Sequence, residues 1–531
     1  MTAEEKLRKV LKELYAHDGK ELPEQCAEQA IQYMNGKSEA PPDIQVRALK
    51  GGTYKIKGYY MENDELQDIR GASTLISEVQ NTLLPNCLRK LIGFDSILYH
   101  GGGNLFALLP ADVSEDIAQE LEKTADSVLI TANSAYDLSE PFSLIDFLGE
   151  KYNTKTAELE NKLNERKKMK LVFDPKPETA FLGQTLLDGQ LTASLNSGKS
   201  TYCQKCKKRL AGYTRKEKAL CGGCLHKVYA GESQKLRYLL DYAKQTGIQV
   251  KPPAVFKDIG REHIAFFYAD GNNMGGIIQR FHNIAEMIGF SDFVKDTIPQ
   301  IVYESLAECR IDSPEIVALG GDDIFLIIPA EKSVAFAVKL IEKYKKVFSK
   351  QFPDSESTLS VGFSIVKPNT PIKVALEVAE EELDAAKQLV RANNDEDGSL
   401  SFRVLQTYEG AVSKRGKETL IPYSLTAAKK LLDYTAFLRR IQDINTIKTR
   451  LQNLNQAFHD AACREEANLF LEYTNAKERE LNKRLTLPDL DGYKLSDGYY
   501  SRSGPYLKEN EGYLWNDLLY LLEFGKRGDE T

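Results

Sequence analysis

The chain has 531 residues and a mass of 59.7 kDa, which at roughly 100–200 residues per domain implies three to five domains. Hydrophobic residues make up 42% and charged residues 28%, with 36 Gly and 19 Pro, so collagenous, disulfide-miniprotein and disordered classes are excluded. The formal charge of −7 is too small for an acidic tail or a surface that coats nucleic acid, so any nucleic-acid contact has to be local.

Residues 1–20 alternate charge with Leu and Val and hold no apolar run of secretory type, and no stretch approaches the ~18 apolar residues of a membrane span. Four of the eight cysteines stand in two CxxC pairs. Such thiols suit metal binding in a reducing compartment, so a cytoplasmic protein with no membrane partner is expected.

Residues 3–35 read as two amphipathic helices. From 54 to 150 the pattern becomes α+β: a strand YKIKGYYM (54–61), a helical stretch (71–92), a strand pair around YHGGGNLFALLPA (99–111), a helix (113–125), a strand (127–135) and a helix from Pro141. A charged helix follows over 155–170, then a cysteine module over 201–227. A second α+β segment runs from His263 to Arg391, and 420–531 carries Leu, Ile and Tyr at helical spacing. The expected divisions are an N-terminal helical segment (1–50), a first α+β unit (51–170), a linker with the cysteine module (171–255), a second α+β unit (256–400) and a helical end (401–531).

The two α+β segments repeat each other. GGGNLFALLPA (101–111) aligns without a gap on GGDDIFLIIPA (320–330). Upstream, KGYYME (57–62) matches AFFYAD (265–270) as an aromatic strand ending in an acid. One βαββαβ unit has been duplicated on this reading, with a period too long for a solenoid. The copies differ where chemistry would sit, because Asp322 and Asp323 replace Gly103 and Asn104.

In the second copy Gly320 and Gly321 allow a tight turn and close approach of a ligand to the backbone, while the turn projects adjacent carboxylates. Asp270 ends an apolar strand and opens through Gly271, Asn272 and Asn273 into a helix, an arrangement suited to polyphosphate. Three converging aspartates repel one another, and two Mg²⁺ or Mn²⁺ ions with oxygen ligands relieve that repulsion. On the helix containing AEEELDAAK, Lys387 follows Glu380 by seven residues, about two turns, and offers a point charge for a triphosphate.

FFYADGNNMG, ALGGDDIFLIIPA and AEEELDAAK, in this order and spacing, resemble the palm domain shared by GGDEF nucleotide cyclases and the large (Cas ten / Cmr two type) subunit of type III CRISPR effector complexes. A duplicated palm with a degenerate first copy, an inserted four-cysteine module and a helical end is similar to the CRISPR subunit alone. The resemblance implies an α+β protein with two ferredoxin-like palm domains, a zinc-ribbon insertion and a C-terminal helical domain. It also implies partners, namely other effector subunits, guide RNA and target RNA. The family's longest members begin with an HD nuclease domain. Here about 50 residues precede the first palm and the six histidines form no cluster with aspartates, so DNase activity is not expected.

Cys203-x₂-Cys206-x₁₄-Cys221-x₂-Cys224 has the two knuckles of a Cys₄ zinc ribbon, whose closed shell makes Zn²⁺ structural. His226 is a neighbour that could substitute. Eight Lys/Arg against one acid between 203 and 227 make this the most basic stretch, open either to RNA phosphate or to solvent.

By resemblance, Asp270, Asp322 and Asp323 hold two metals on ATP, Gly271, Asn272, Asn273 and Lys387 seat its phosphates, and pyrophosphate leaves as cyclic oligoadenylate forms upon target-RNA binding. Glu62, Asp64, Asp68 and Glu150 make the expected acceptor side acidic. That favours, as an alternative, a cationic cosubstrate, S-adenosylmethionine, joined to ATP as in some relatives lacking the nuclease. A catalytically silent scaffold is the remaining alternative.

Overall fold

The computed structural model describes residues 2–63, 65–101, 104–149, 151–169, 194–195, 201–233, 237–321, 323–353, 357–393, 397–405 and 422–439, with 449, 453, 473 and 521. Asp64, Glu150, Asp322 and nearly all of the expected C-terminal helical segment lie outside them. Two compact units emerge from backbone proximity, 1–238 with 275–300 and 317–323, and 239–274 with 301–316 and 324–531.

The first unit opens with helices α1 (Ala3–His17) and α2 (Pro23–Met34). Thr2 caps α1 in a reciprocal box with Glu5, which satisfies otherwise orphaned N–H groups. Strand β1 (Gln45–Tyr54) leads through the short α3 (Ile56–Tyr60) into α4 (Leu66–Glu78) and α5 (Leu84–Ile92). The hairpin β2 (Ile97–Gly101) and β3 (Asn104–Pro110) follows, then α6 (Ile117–Leu129), β4 (Asn133–Leu138), the short β5 (Phe142–Ser143), α7 (Leu144–Leu148) and the charged α8 (Tyr152–Met169). The sheet order is β2-β3-β1-β4, with β5 on β1.

The first strand is therefore 45–54, and 56–60 of the expected strand 54–61 are helical. In the fold Gly51 lies mid-strand, where an added Cβ would sit 2.3 Å from the Tyr136 ring and 2.4 Å from the Ala135 carbonyl oxygen. Glycine in a strand interior here marks close approach of a neighbouring strand.

The cysteine module carries β6 (Ser194–Leu195), β7 (Tyr213–Arg215), β8 (Lys218–Leu220) and α9 (Gly222–Ser233). Helix α9 packs closely on α4: a Cβ on Gly71 would overlap the Lys227 carbonyl oxygen at 1.7 Å.

Beyond it come α10 (Arg237–Thr246), α11 (Phe256–Ile259), β9 (Ile264–Gly271), α12 (Met274–Gln279) and α13 (Ile284–Glu308). Then follow β10 (Glu315–Gly320), β11 (Asp323–Pro329), α14 (Ser333–Gln351), β12 (Leu359–Val366), α15 (Ile372–Asn393), β13 (Ser399–Val404), β14 (Tyr423–Ser424) and α16 (Leu425–Arg439). The order β10-β11-β9-β12-β13-β14 repeats the four-strand order of the first sheet, so both copies have the antiparallel connectivity of a βαββαβ unit. Central strands β9 and β12 are buried almost throughout, which explains their continuous apolar runs. Phe267, Phe363, Phe402 and Tyr423 stack in a row across β9, β12, β13 and β14, with centroids 5.1–6.2 Å apart, and clamp the sheet on one face.

Two devices fix α15 on the other face. Gly362 of β12 lies beneath the helix, where a Cβ would be 2.0 Å from the Leu383 nitrogen and 2.5 Å from the Ala379 oxygen. The fully buried Glu382 receives Arg403 Nε at 2.9 Å and Ser401 Oγ at 2.5 Å from β13. Replacing Gly362 by Ala is expected to lift α15 and destabilise the chain by ~3 kcal/mol through overpacking. Thermal denaturation of G362A checks this, and an unchanged midpoint would contradict the close approach.

Candidate metal and nucleotide site

Asp270 ends β9 on the face occupied by α15. Its β12 partner in the ladder is Ser360, and Gly362, on which α15 rests, pairs with Tyr268 two residues back, so alternation along the strand puts these positions on one side. Lys387, just over one turn beyond Glu382, donates from Nζ to Asp270 Oδ2 at 2.6 Å. The two side chains are 21% and 22% exposed, so solvent and ligand can reach both.

On the other neighbour of β9, Ile324 of β11 pairs with Ala269. The next position along β11 is Asp323 and the next along β9 is Asp270. Gly321 adopts φ +62° at the turn, a conformation that glycine takes without strain. Asp322 is outside the described residues. Gly320 would accept a Cβ without contact.

The residues after Asp270 brace the turn. Asn272 donates its backbone N–H to the Thr358 oxygen at 2.7 Å and its side-chain amide to Thr358 Oγ1 at 2.9 Å, and accepts from Ser360 Oγ at 3.0 Å. Every one of these groups is turned toward β12. Asn273 takes the left-handed conformation, φ +60°, which Asn tolerates better than most residues. Gly271 lies against Tyr344 and Met274. Helix α12 is only six residues long, too short for a strong dipole.

In the first copy the same register identifies the counterparts. Gly52 of β1 pairs with Asn104 of β3, and Asn104 aligns with Asp323, so the counterpart of Asp270 is Gly52. Glu62, expected from sequence to end that strand, lies beyond α3. It is 8% exposed and bonded by Lys227 Nζ at 2.7 Å, Thr131 Oγ1 at 2.7 Å and Arg209. Burial raises its carboxyl pKa, but Lys227, Arg209 and Thr131 outweigh burial and leave it below the ordinary range. Asp68 is 1% exposed and holds Lys205 at 3.1 Å and the Asn63 amide at 3.1 Å. Burial lifts its carboxyl above the ordinary range. Both acids face the cysteine module.

Tyr60 is a neighbour that sequence reasoning missed. Burial first, then Tyr238, then the Asp323 charge raise its phenol pKa. A tyrosine in a short helix carries no sequence signal for such a place.

The four cysteine sulfurs lie within 4.8 Å of one another and are buried. Cys206 and Cys221 are 3.8 Å apart, matching the ~3.8 Å between sulfurs that share a tetrahedral ion at ~2.3 Å. Asn63 Nδ2 at 3.5 Å from Cys224 and Arg209 Nη1 at 3.9 Å from Cys206 point donors at the sulfurs, as outer partners of thiolates do. His226 Nδ1–H donates to the Val128 backbone oxygen at 2.9 Å. Much of the module's basic charge is internal: Lys205 meets Glu65 and Asp68, Arg209 and Lys227 meet Glu62, and Arg215 meets Glu232.

Residues 263–395 match the family model "Cas10/Cmr2, second palm domain". The CRISPR system Cmr subunit Cmr2 of Pyrococcus furiosus is 27% identical over 154 residues, which cover 25% of this chain and 18% of that protein's length. Among solved structures, Csm1 of T. onnurineus superposes with a TM-score of 0.57 at 13% identity over 94% of this chain and 73% of its own. A Csm1-Csm4 cassette in complex with cA4 gives 0.56 at 14% identity over 94% and 73%. A cassette in complex with AMPPNP gives 0.53 at 14% over 98% and 80%. No helix among the described residues is long and apolar enough to cross a membrane.

Replacing Lys227 by Met leaves Glu62 short of a buried partner and is expected to cost ~3 kcal/mol at neutral pH. A carboxyl with a lowered pKa stabilises the fold above its unfolded value and loses that contribution as pH falls through its folded value. The gap between wild type and K227M should therefore close below about pH 4. Denaturant titrations at neutral and acid pH check this, and a gap independent of pH would contradict it.

Proposed function

We propose that this chain, of the Cas10/Cmr2 type through its second palm domain, is the nucleotidyltransferase subunit of a type III CRISPR effector and makes cyclic oligoadenylate from ATP. The observation that carries the reading is Asp270 at the end of β9, paired with Lys387 and next in register to the GGDD strand. The first copy has Gly52 and Asn104 at the matching places. At these matching places one palm carries carboxylates suited to metal and the other carries Gly and Asn.

Asp270, Asp322 and Asp323 are the residues that would hold two Mg²⁺ or Mn²⁺ ions, which when bound polarise the triphosphate and acidify the attacking hydroxyl. The hydroxyl oxygen attacks the α-phosphorus, the bond to the bridging oxygen breaks, and pyrophosphate leaves. Lys387 exchanges its carboxylate partner for phosphate oxygens, a transfer between anions that a flexible ammonium makes without leaving a charge unpaired. Asn272 and Ser360 hold the turn after Asp270 in place, so the carboxylate is preorganised. In the first unit, the cysteine cluster is assigned to structural Zn²⁺, with all four positions taken by thiolate.

Glu62 and Asp68 do not support the S-adenosylmethionine alternative. Their charges are already met by Lys227, Arg209 and Lys205, so the acidity that favoured a cationic cosubstrate is internal. Other effector subunits, guide RNA and target RNA are the proposed partners. The solved cassettes that pair Csm1 with Csm4 support a neighbouring subunit.

Pyrophosphate release from ATP by the assembled complex with target RNA and Mg²⁺ tests the reading. Changing Asp322 and Asp323 to Ala is expected to lower the rate by at least about a hundredfold, with mass analysis identifying a cyclic adenylate from the wild type. Release that survives the substitutions would overturn it.

A further inference from the structure

The basic residues of the cysteine module divide into two groups. Lys205, Arg209, Arg215, Lys216, Lys218 and Lys227 are paired with acids of the first unit. Lys207 and Lys208 are exposed and form no ion pair among the described residues. They sit on a small hairpin closed by Cys203 N–H to the Arg209 oxygen at 2.7 Å and Ala211 N–H to the Thr201 oxygen at 2.8 Å. Tyr202 and Leu210 face each other across it.

The hairpin has two faces because side chains alternate along each arm. Cys203, 1% exposed, and Arg209 point inward to the sulfurs and Glu62. Tyr202 and Leu210 lie outward, 66% and 61% exposed, and Lys208, two residues before Leu210, is exposed as well. Lys207 stands at the turn with φ +58°, its N–H bonded to the Cys203 oxygen at 2.9 Å. An exposed tyrosine is thus backed by a leucine and flanked by two uncompensated cations in a protein of net negative charge.

We infer that this outer face binds single-stranded nucleic acid, with a base stacked on Tyr202 and Leu210 and backbone phosphates at Lys207 and Lys208. The size of the patch decides the class of partner. Two apolar side chains fall far short of the ~800 Å² that each side of a stable protein interface buries, but they match one base, and stacking on an aromatic ring with adjacent lysines is a sequence-tolerant way to hold a strand. The bridge between Tyr202 and Leu210 holds the platform before the strand arrives, which reduces the ordering cost of binding. This site is separate from the chemistry at Asp270 and stands without it.

Fluorescence anisotropy of the full chain with labelled oligouridylate and with its deoxy counterpart, over a range of salt, tests the inference. Y202A is expected to weaken binding about tenfold, while Y202F stays within about twofold. Replacing both lysines by Glu is expected to weaken binding and flatten the dependence of log affinity on log salt by about 1.4, the value for two phosphates on a single strand. Among the described residues the side chains of Lys207 and Lys208 make no bonds to the fold, so the double variant remains informative even where Y202A perturbs the module. Loss with either polymer supports the site, and their ratio tells RNA from DNA. Affinity and salt slope unchanged in the double variant overturn it, as does intact nucleic-acid binding accompanied by loss of a co-purifying protein subunit.

Discussion

The ion pair between Lys387 and Asp270 is the contact on which the second palm depends. A carboxylate at the end of a buried apolar strand needs a counter-charge, and here it comes from a helix whose position is set elsewhere. Gly362 lets α15 press onto β12, and Glu382, gripped by Arg403 and Ser401, holds it against β13. Lys387 follows just over one turn later. The buried Glu382 pair determines where the exposed charge stands, and the exposed charge can change partners because both members touch solvent.

The two copies use one strand order for different ends. In the second, Asp270 is left half-buried with the Lys387 ammonium beside it. In the first, Gly52 and Asn104 occupy the matching places, and Glu62 and Asp68 are drawn into the interior to anchor the cysteine module. A buried carboxylate bonded by two or three donors is a poor ligand for anything that arrives later, because its pairing would first have to be broken. The cysteine module is therefore held by charge on its inner side and left with Tyr202, Leu210 and two lysines on its outer side.

Much of the second copy was legible in the sequence because its strands are either wholly apolar or closed by a glycine turn. Strand 359–366 matches β12, and the helix carrying AEEELDAAK lies within α15. The first copy was harder to read. KGYYME imitates a strand while most of it is helical. The basic partners of Glu62 and Asp68 are more than 130 residues away in the chain, beyond the reach of any local pattern. Eight basic residues make the cysteine module the most basic stretch of the sequence, yet six of them are paired with acids. Asn272 was read as a phosphate ligand from its place after Asp270. Its bonds to Thr358 and Ser360 depend on the β9–β12 register, which spacing does not encode.

The central claim is that Lys387 stands in at Asp270 for a charge that arrives with the nucleotide. Crystals of the protein with Mn²⁺ and a non-hydrolysable ATP analogue, examined by anomalous scattering, test it most directly. The account predicts manganese bound to the Asp270 carboxylate with Lys387 Nζ moved onto phosphate oxygen. Lys387 still bonded to Asp270, with nucleotide present and manganese elsewhere, would contradict it.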